Sequence, residues 1–384
     1  MTYHAKPPLK PFRQVEELVA AGLIPKEGIE LLRAVTEKFA LRLPVGLAER
    51  MEHIDNLPPG GDSGPLARQY LPDARELLEA SFESADPIGD EAFTPVAGIV
   101  HRYPDRVLLK ANHLCPAYCR FCFRNNTVGP NKENHGNTLS ADELETALAY
   151  IEANEEIWEV ILSGGDPLML PMAKIGHILE RLDSIPNVAV VRLHSRVPVA
   201  EPGRISGDLV ASLRTPAKTA VYVVVHCNHA DELDTKALAA CHALSDSGIP
   251  LLGQTVLLKG VNDDADVLKA LFRTMVRHRI KPYYLHHCDL ARGTGHFRTT
   301  IARGQELMRE LRGHISGLCQ PTYVLDIPGG HGKVPLTPVY LTHQEDGNHD
   351  GTGDTYRAED YQGGVHAYPS ITDPGVNVVS TEPE

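Results

Sequence analysis

The sequence predicts an α/β chain: a barrel or partial barrel of parallel (β/α) units, with a helical N-terminal extension and an irregular C-terminal tail. Three observations carry this. Between about residues 98 and 333, the short apolar runs "RVLLKA", "WEVILS", "VAVVRL", "AVYVVVH", "LLGQTVLL", "PYYLHH" and "TYVLD" alternate with longer amphipathic stretches. Several runs are Val-rich with little polar alternation, as expected of strands buried on both faces. The unusual residues fall just after these runs, where barrel folds carry their chemistry.

In chain order, residues 1–97 form the extension. "QVEELVAAGLIPKEGIELLRAVTEKFALRLP" reads as two helical segments, with Pro25 placed to open the second at its first helical position. Residues 98–339 form the barrel. Its helices are read from "LSADELETALAYIEA", "AKIGHILERLDSI", "GDLVASLRT", "DTKALAACHALSDSG", "ADVLKALFRTMVRHR" and "RGQELMRELRGHI", and six or seven such units are joined by right-handed connections. Residues 340–384 form the tail, where "HQEDGNHDGTGDTYRAEDYQGG" is polar and rich in Gly and Asp, the composition of a loop.

Composition narrows the function classes. A chain of 384 residues buries a large core without disulfide staples, and no apolar run reaches the roughly 20 residues that span a bilayer. The N-terminus has no apolar stretch leading to a cleavage site, so a cytoplasmic protein is expected. A net charge of -13, with no Lys/Arg-rich run, disfavours nucleic acid as a partner. Seven unevenly spaced cysteines do not form a disulfide framework in a chain of this size, which indicates a reducing compartment.

Three of those cysteines, Cys115, Cys119 and Cys122, stand in "HLCPAYCRFCFRNN" as C-x3-C-x2-C. Iron–sulfur cubanes usually take four thiolates, so three leave one iron open to a small chelating ligand. Zinc would need a fourth protein ligand, for which only His113 is near. "SGGDPL" (Ser163, Gly164, Gly165, Asp166 and the two residues after them) follows a strand, and its glycines let backbone approach a ligand. "DIPGGHGKVP" ends in Gly-Lys but is no phosphate loop: Ile327 replaces its first glycine, Val334 its hydroxyl residue, and Pro335 interrupts the helix it needs. A lysine on a flexible glycine stretch at a strand end suits a Schiff base with pyridoxal phosphate.

These motifs, with "HRYPDRVLL", "GQTVLLKGVND", "YYLHHCDL" and "GHFR", occur in the order found in the lysine 2,3-aminomutase family, which the chain resembles over roughly residues 95–345. The resemblance implies a partial barrel of the radical S-adenosylmethionine type and three cofactors: a 4Fe-4S cluster, S-adenosylmethionine and pyridoxal 5'-phosphate. It implies that the cluster cleaves S-adenosylmethionine to a 5'-deoxyadenosyl radical, which takes hydrogen from the β-carbon of an amino acid whose nitrogen then migrates from Cα to Cβ. It further implies Lys333 as the lysine that binds pyridoxal phosphate, and Arg124 as partner of the substrate carboxylate. Arg102, Arg106 and Gln254 match positions that hold pyridoxal phosphate, His226 lies near the adenosyl group, and the Ser163–Asp166 loop serves the methionyl amine. An electron donor such as flavodoxin or ferredoxin and a homo-oligomer are expected. No cysteine follows Cys319, so the zinc-binding tail common in the family is not expected. His331 stands where the family commonly has glycine, and is read as solvent-facing.

Asp289 and Asp326 both follow predicted strands on the rim that carries the cysteines, and their carboxylates can converge on the far end of an amino acid held at Arg124. Lysine, with its ε-ammonium, is the expected substrate and arginine the second choice. The alternative for Asp289 is pairing with Arg292 or Arg298. Supply of β-lysine for elongation factor P modification stays open as the biological purpose, and an iron–sulfur electron-transfer protein is the reading from another class.

Overall fold

A computed structural model describes residues 10–51, 64–129, 138–344 and 355–369. Its centre is a nine-stranded sheet whose strands follow chain order. Four short helices precede it: α1 (Val15–Ala20), α2 (Ile29–Lys38), α3 (Val45–Ala48) and α4 (Gly64–Tyr70). Pro25 does not open α2; Gly28, with φ +78°, turns the chain into Ile29, a conformation that costs glycine little.

The sheet begins with a hairpin the sequence reading missed, β1 (Ile99–Tyr103) antiparallel to β2 (Arg106–Asn112). Then helix α5 (Ala141–Ala153), β3 (Glu159–Gly164), α6 (Met172–Ser184) and β4 (Val190–Ser195) follow. After α7 (Val197–Ala200) and α8 (Gly207–Leu213) come β5 (Ala220–His226), α9 (Thr235–Asp246), β6 (Leu251–Leu257), α10 (Ala265–Arg277), β7 (Ile280–His287), α11 (Ile301–Leu311) and β8 (Thr322–Asp326). Strands β2 to β8 are parallel, and each matches one of the seven apolar runs. Ser140, Asp234, Asp264 and Thr300 accept from backbone N–H groups in the first turns of α5, α9, α10 and α11, so the polar residue before each amphipathic stretch sets where the helix starts.

The core lies between the strands and this outer helical layer, where Ile151, Leu179, Leu244, Leu271 and Leu311 meet Val160, Leu193, Val223 and Leu285. A second apolar cluster joins α1 and α4 to Ala117 and Ala200, so the extension packs against the barrel. No described helix is long and apolar enough to cross a membrane.

Two differences from the sequence reading matter. Lys333 is not on a flexible glycine stretch: it begins β9 (Lys333–Pro335), an edge strand antiparallel to β8 with Lys333 opposite Asp326. The two edge strands of the curled sheet approach each other, and the Lys333 N–H donates to Tyr103 Oη of β1 at 2.8 Å. The tail, expected to be irregular, contains an antiparallel sheet of β10 (Leu341–Gln344), β11 (Thr355–Glu359) and β12 (Val365–Pro369). Alternation around "TYRAE" and "VHAYP" was hidden by the Gly/Asp-rich residues beside them. The tail residues 345–354 and 370–384 lie outside the described residues.

Candidate active site

A cavity of about 600 Å³ opens inside the curled sheet, and every residue singled out above as a ligand or site residue lines it. Cys115, Cys119, Cys122 and Arg124 enter from the segment after β2, Ser163 to Asp166 from the end of β3, His226 from β5 and Gln254 from β6. Asp289 follows β7, Asp326 ends β8, Lys333 starts β9, and Arg102 and Arg106 come from the β1–β2 hairpin. Residues up to 231 positions apart in sequence thus line one cavity: the parallel order brings the segments after β2, β3 and β7 and the ends of β5 and β8 to one end, and the antiparallel strands β1 and β9 add Arg102 and Lys333.

At the cysteine end the three thiols form no disulfide, and burial raises the pKa of each. Among the described residues, no three His, Cys, Asp or Glu side chains are grouped around a single ion. Gly165 lets the backbone after β3 pass close to the cysteine segment: an added Cβ would stand 2.5 Å from the Leu114 carbonyl oxygen. The Asp166 carboxylate is taken by scaffold, accepting from Ser195 Oγ at 2.8 Å, Arg196 N at 2.6 Å and Leu168 N at 3.0 Å. Burial nevertheless pushes its pKa up to about 6. His226 is half-buried, its Nε2 is shielded from solvent and unpaired, and its ring meets the Phe121 ring edge-on.

The opposite end is acidic. Asp326 Oδ1 accepts from Lys333 Nζ at 2.6 Å and Oδ2 lies 3.6 Å from His286 Nδ1. Burial works against its charge, but His286 and the Lys333 ammonium prevail and hold its pKa at about 2. Asp289 has no ion pair among the described residues, and Arg298 is engaged by Glu83 instead. Burial, reinforced by Asp326, pushes the Asp289 pKa up to about 7. Arg124 sits between these ends, with Nη1 donating to Ser163 Oγ at 3.3 Å. Arg106 pairs with neighbouring Asp105 and lies over the Tyr103 ring. His331 is exposed.

Sequence reading missed two groups beside the cysteines and arginines. Arg196, buried at the end of β4, donates from Nη1 to Cys119 Sγ at 3.1 Å and from Nη2 to buried Glu232 at 2.5 Å. Glu232 also accepts from Tyr70 Oη and Gln69 Nε2, which α4 supplies from more than 160 residues away. Asp90, in the extension, contacts Arg124, Arg102 and Lys110. Only "SR" directly after a buried strand could have signalled the first group.

Residues 308–369 match the family model for lysine-2,3-aminomutase, and residues 111–205 that of the radical SAM superfamily. The chain is 39% identical over 292 residues to L-lysine 2,3-aminomutase of Clostridium subterminale, covering 76% of this chain and 69% of that one. It belongs to the lysine 2,3-aminomutase family. The same enzyme from Methanococcus maripaludis is 39% identical over 87% of this chain and 74% of its own. Glutamate 2,3-aminomutase of Clostridioides difficile is 38% identical over 69% of this chain and 61% of its own. Identity therefore does not choose the substrate, and the charges in the cavity must. As a radical SAM aminomutase the chain is an isomerase, and membership implies a 4Fe-4S cluster, S-adenosylmethionine and pyridoxal phosphate. The cavity fits them: it offers three thiols, the Gly165 cradle, the orphaned nitrogens His194 Nε2, His226 Nε2 and Arg102 Nε, and a lysine amine beside a carboxylate.

Proposed function

We propose that this aminomutase moves the α-amino group of L-lysine to the β-carbon, giving β-lysine, with Cys115, Cys119 and Cys122 holding the cluster and Lys333 holding pyridoxal phosphate. The observation that carries the lysine reading is Asp289, a half-buried carboxylate facing the cavity with no ion pair among the described residues. When bound, the cluster and S-adenosylmethionine supply a carbon radical, and pyridoxal phosphate supplies a π-system on the migrating nitrogen.

The residues do the rest. Arg124 takes the substrate carboxylate, for which its planar fork is suited. Asp289 and Asp326 take the ε-ammonium, and Asp326, which accepts from Lys333 Nζ at 2.6 Å, is held ionised for that role. The glycine backbone of 164–165 and the half-buried His226 suit the methionyl and adenosyl parts of S-adenosylmethionine, and Arg102, Arg106 and Gln254 suit pyridoxal phosphate. Glutamate would bring a third carboxylate beside two, and alanine would leave both unpaired, each costing several kcal/mol. Arginine needs a longer, planar subsite. The reading also expects a cytoplasmic homo-oligomer reduced by flavodoxin or ferredoxin.

Asp289→Asn and Asp326→Asn should each raise the lysine KM at least ~10-fold while iron and pyridoxal phosphate contents stay at wild-type levels. The pH dependence follows from Asp289. Its raised pKa means that below about pH 7 the empty site holds a proton that a bound ammonium must expel. The lysine KM should therefore fall as pH rises to about 7 and then level off. Asp289→Asn should lack that limb. Unchanged lysine kinetics in the double variant would overturn the substrate assignment.

A further inference from the structure

Asp90 is buried in the extension, outside the barrel's strand ends, and is not itself among the residues lining the cavity. Its carboxylate nevertheless stands behind two residues that do line it. Oδ2 accepts from Arg124 Nε at 3.1 Å and from Arg124 Nη2 at 2.9 Å, which occupies one edge of the guanidinium and leaves Nη1 turned toward Ser163. Oδ1 accepts from Arg102 Nη2 at 3.1 Å, and Lys110 Nζ lies 3.7 Å from Oδ2. Three cations thus face one carboxylate, and two of them, Arg124 and Arg102, line the cavity.

The backbone that carries Asp90 is fixed on both sides. Its N–H donates to Asp86 Oδ1 at 2.8 Å, and its carbonyl accepts from Thr94 Oγ1 at 2.8 Å. Next to it, Gly89 lies against the loop that leads to Lys333, where an added Cβ would approach Gly329 C and Gly330 N to 2.6 Å. The extension therefore touches the mounting of Arg124, of Arg102 and of Lys333 at once.

We propose that Asp90 is a positioning residue for amino-acid recognition: it clamps the rear edge of Arg124 so that the forward edge meets the substrate carboxylate, and ties that orientation to Arg102. This rests on the reading of Arg124 given above. An arginine free to rotate must be ordered by each incoming substrate, and a pre-oriented one need not be. Charge alone predicts the opposite result, because removing the negative charge of Asp90 would strengthen the attraction of Arg124 for a carboxylate.

The test uses reconstituted holoenzyme of matched iron and pyridoxal phosphate content. It reads the affinity for L-lysine relative to L-lysinamide, which lacks the carboxylate, from the visible absorbance change on binding. Asp90→Asn should lower this ratio on the order of 10-fold, with kcat on saturating lysine falling less than kcat/KM. Asp90→Glu keeps the charge and displaces the carboxylate by one methylene, so it should lower the ratio about 3-fold. It decides the matter if Asp90→Asn cannot be isolated as holoenzyme. An unchanged or increased ratio in the variant measured overturns the proposal. Arg124→Lys should lower the ratio more than either, and an unchanged ratio there would overturn both the Arg124 reading and this one. If lysine is not the substrate, the amino acid that the enzyme does turn over is compared with its own amide, so failure of the lysine reading leaves this test standing.

Discussion

Replacing any one of Cys115, Cys119 or Cys122 by Ala is expected to abolish both the cluster and turnover. The anaerobically purified wild-type protein should be brown and hold about four irons per chain, and each variant should lose the brown colour and the iron. The size of the effect follows from the site. Each thiol serves a separate corner of the cubane, and no other cysteine lines the cavity to take its place. Cys241 is the control. It lies buried on α9 in the apolar core, where burial alone pushes its pKa up to about 12, and Cys241→Ala should keep the iron. Iron and activity retained in the triple variant of the cavity cysteines would contradict the assignment.

Lys333→Ala is expected to remove the covalent attachment of pyridoxal phosphate and reduce turnover by several orders of magnitude. Lys333 is the one lysine among the residues that line the cavity. Its position is over-determined: β9 pairs it with Asp326, Tyr103 Oη accepts from its N–H, and Asp326 Oδ1 holds its Nζ. Borohydride reduction of wild-type protein followed by peptide mass spectrometry should find the cofactor on Lys333, and the variant should yield no labelled peptide. Label on another lysine of the wild-type protein would refute the role.

What the sequence revealed and what it hid divide along a physical line. Strands β2 to β8 were legible because each is a short, largely apolar run between amphipathic stretches, even though the cavity face carries polar residues such as Arg192, His194 and Gln254. The cavity residues were legible because parallel strand order puts the residues after each run at one end, so position in sequence predicts position in space. The contacts that cross from the extension were hidden. Gln69 and Tyr70 reach Glu232, and Asp90 reaches Arg124, through packing of an extension whose helices are too short to show strong periodicity. The closure of the sheet was hidden for a related reason. "HRYPDRVLL" was visible as a motif, yet nothing local says that Tyr103 meets the backbone of residue 333.

Reading the sequence, Asp289 and Asp326 were an equivalent pair. The structure separates them: Asp326 is held ionised at a pKa of about 2 by Lys333 and His286, while Asp289 is pushed up to about 7. One carboxylate is charged in advance, and the other charges fully when a cation arrives. Two fully ionised carboxylates this close would repel each other in an empty cavity, so the split lowers the cost of keeping both there.

The central claim is that the cavity rearranges lysine. The most direct measurement is amino-acid product analysis after anaerobic reconstitution with iron, sulfide and pyridoxal phosphate, and incubation with S-adenosylmethionine, a reductant and L-lysine. The account predicts β-lysine, formed in many turnovers per S-adenosylmethionine consumed, with glutamate, alanine and arginine converted far more slowly. Loss of S-adenosylmethionine without any β-amino acid, or a preference for glutamate, would contradict it.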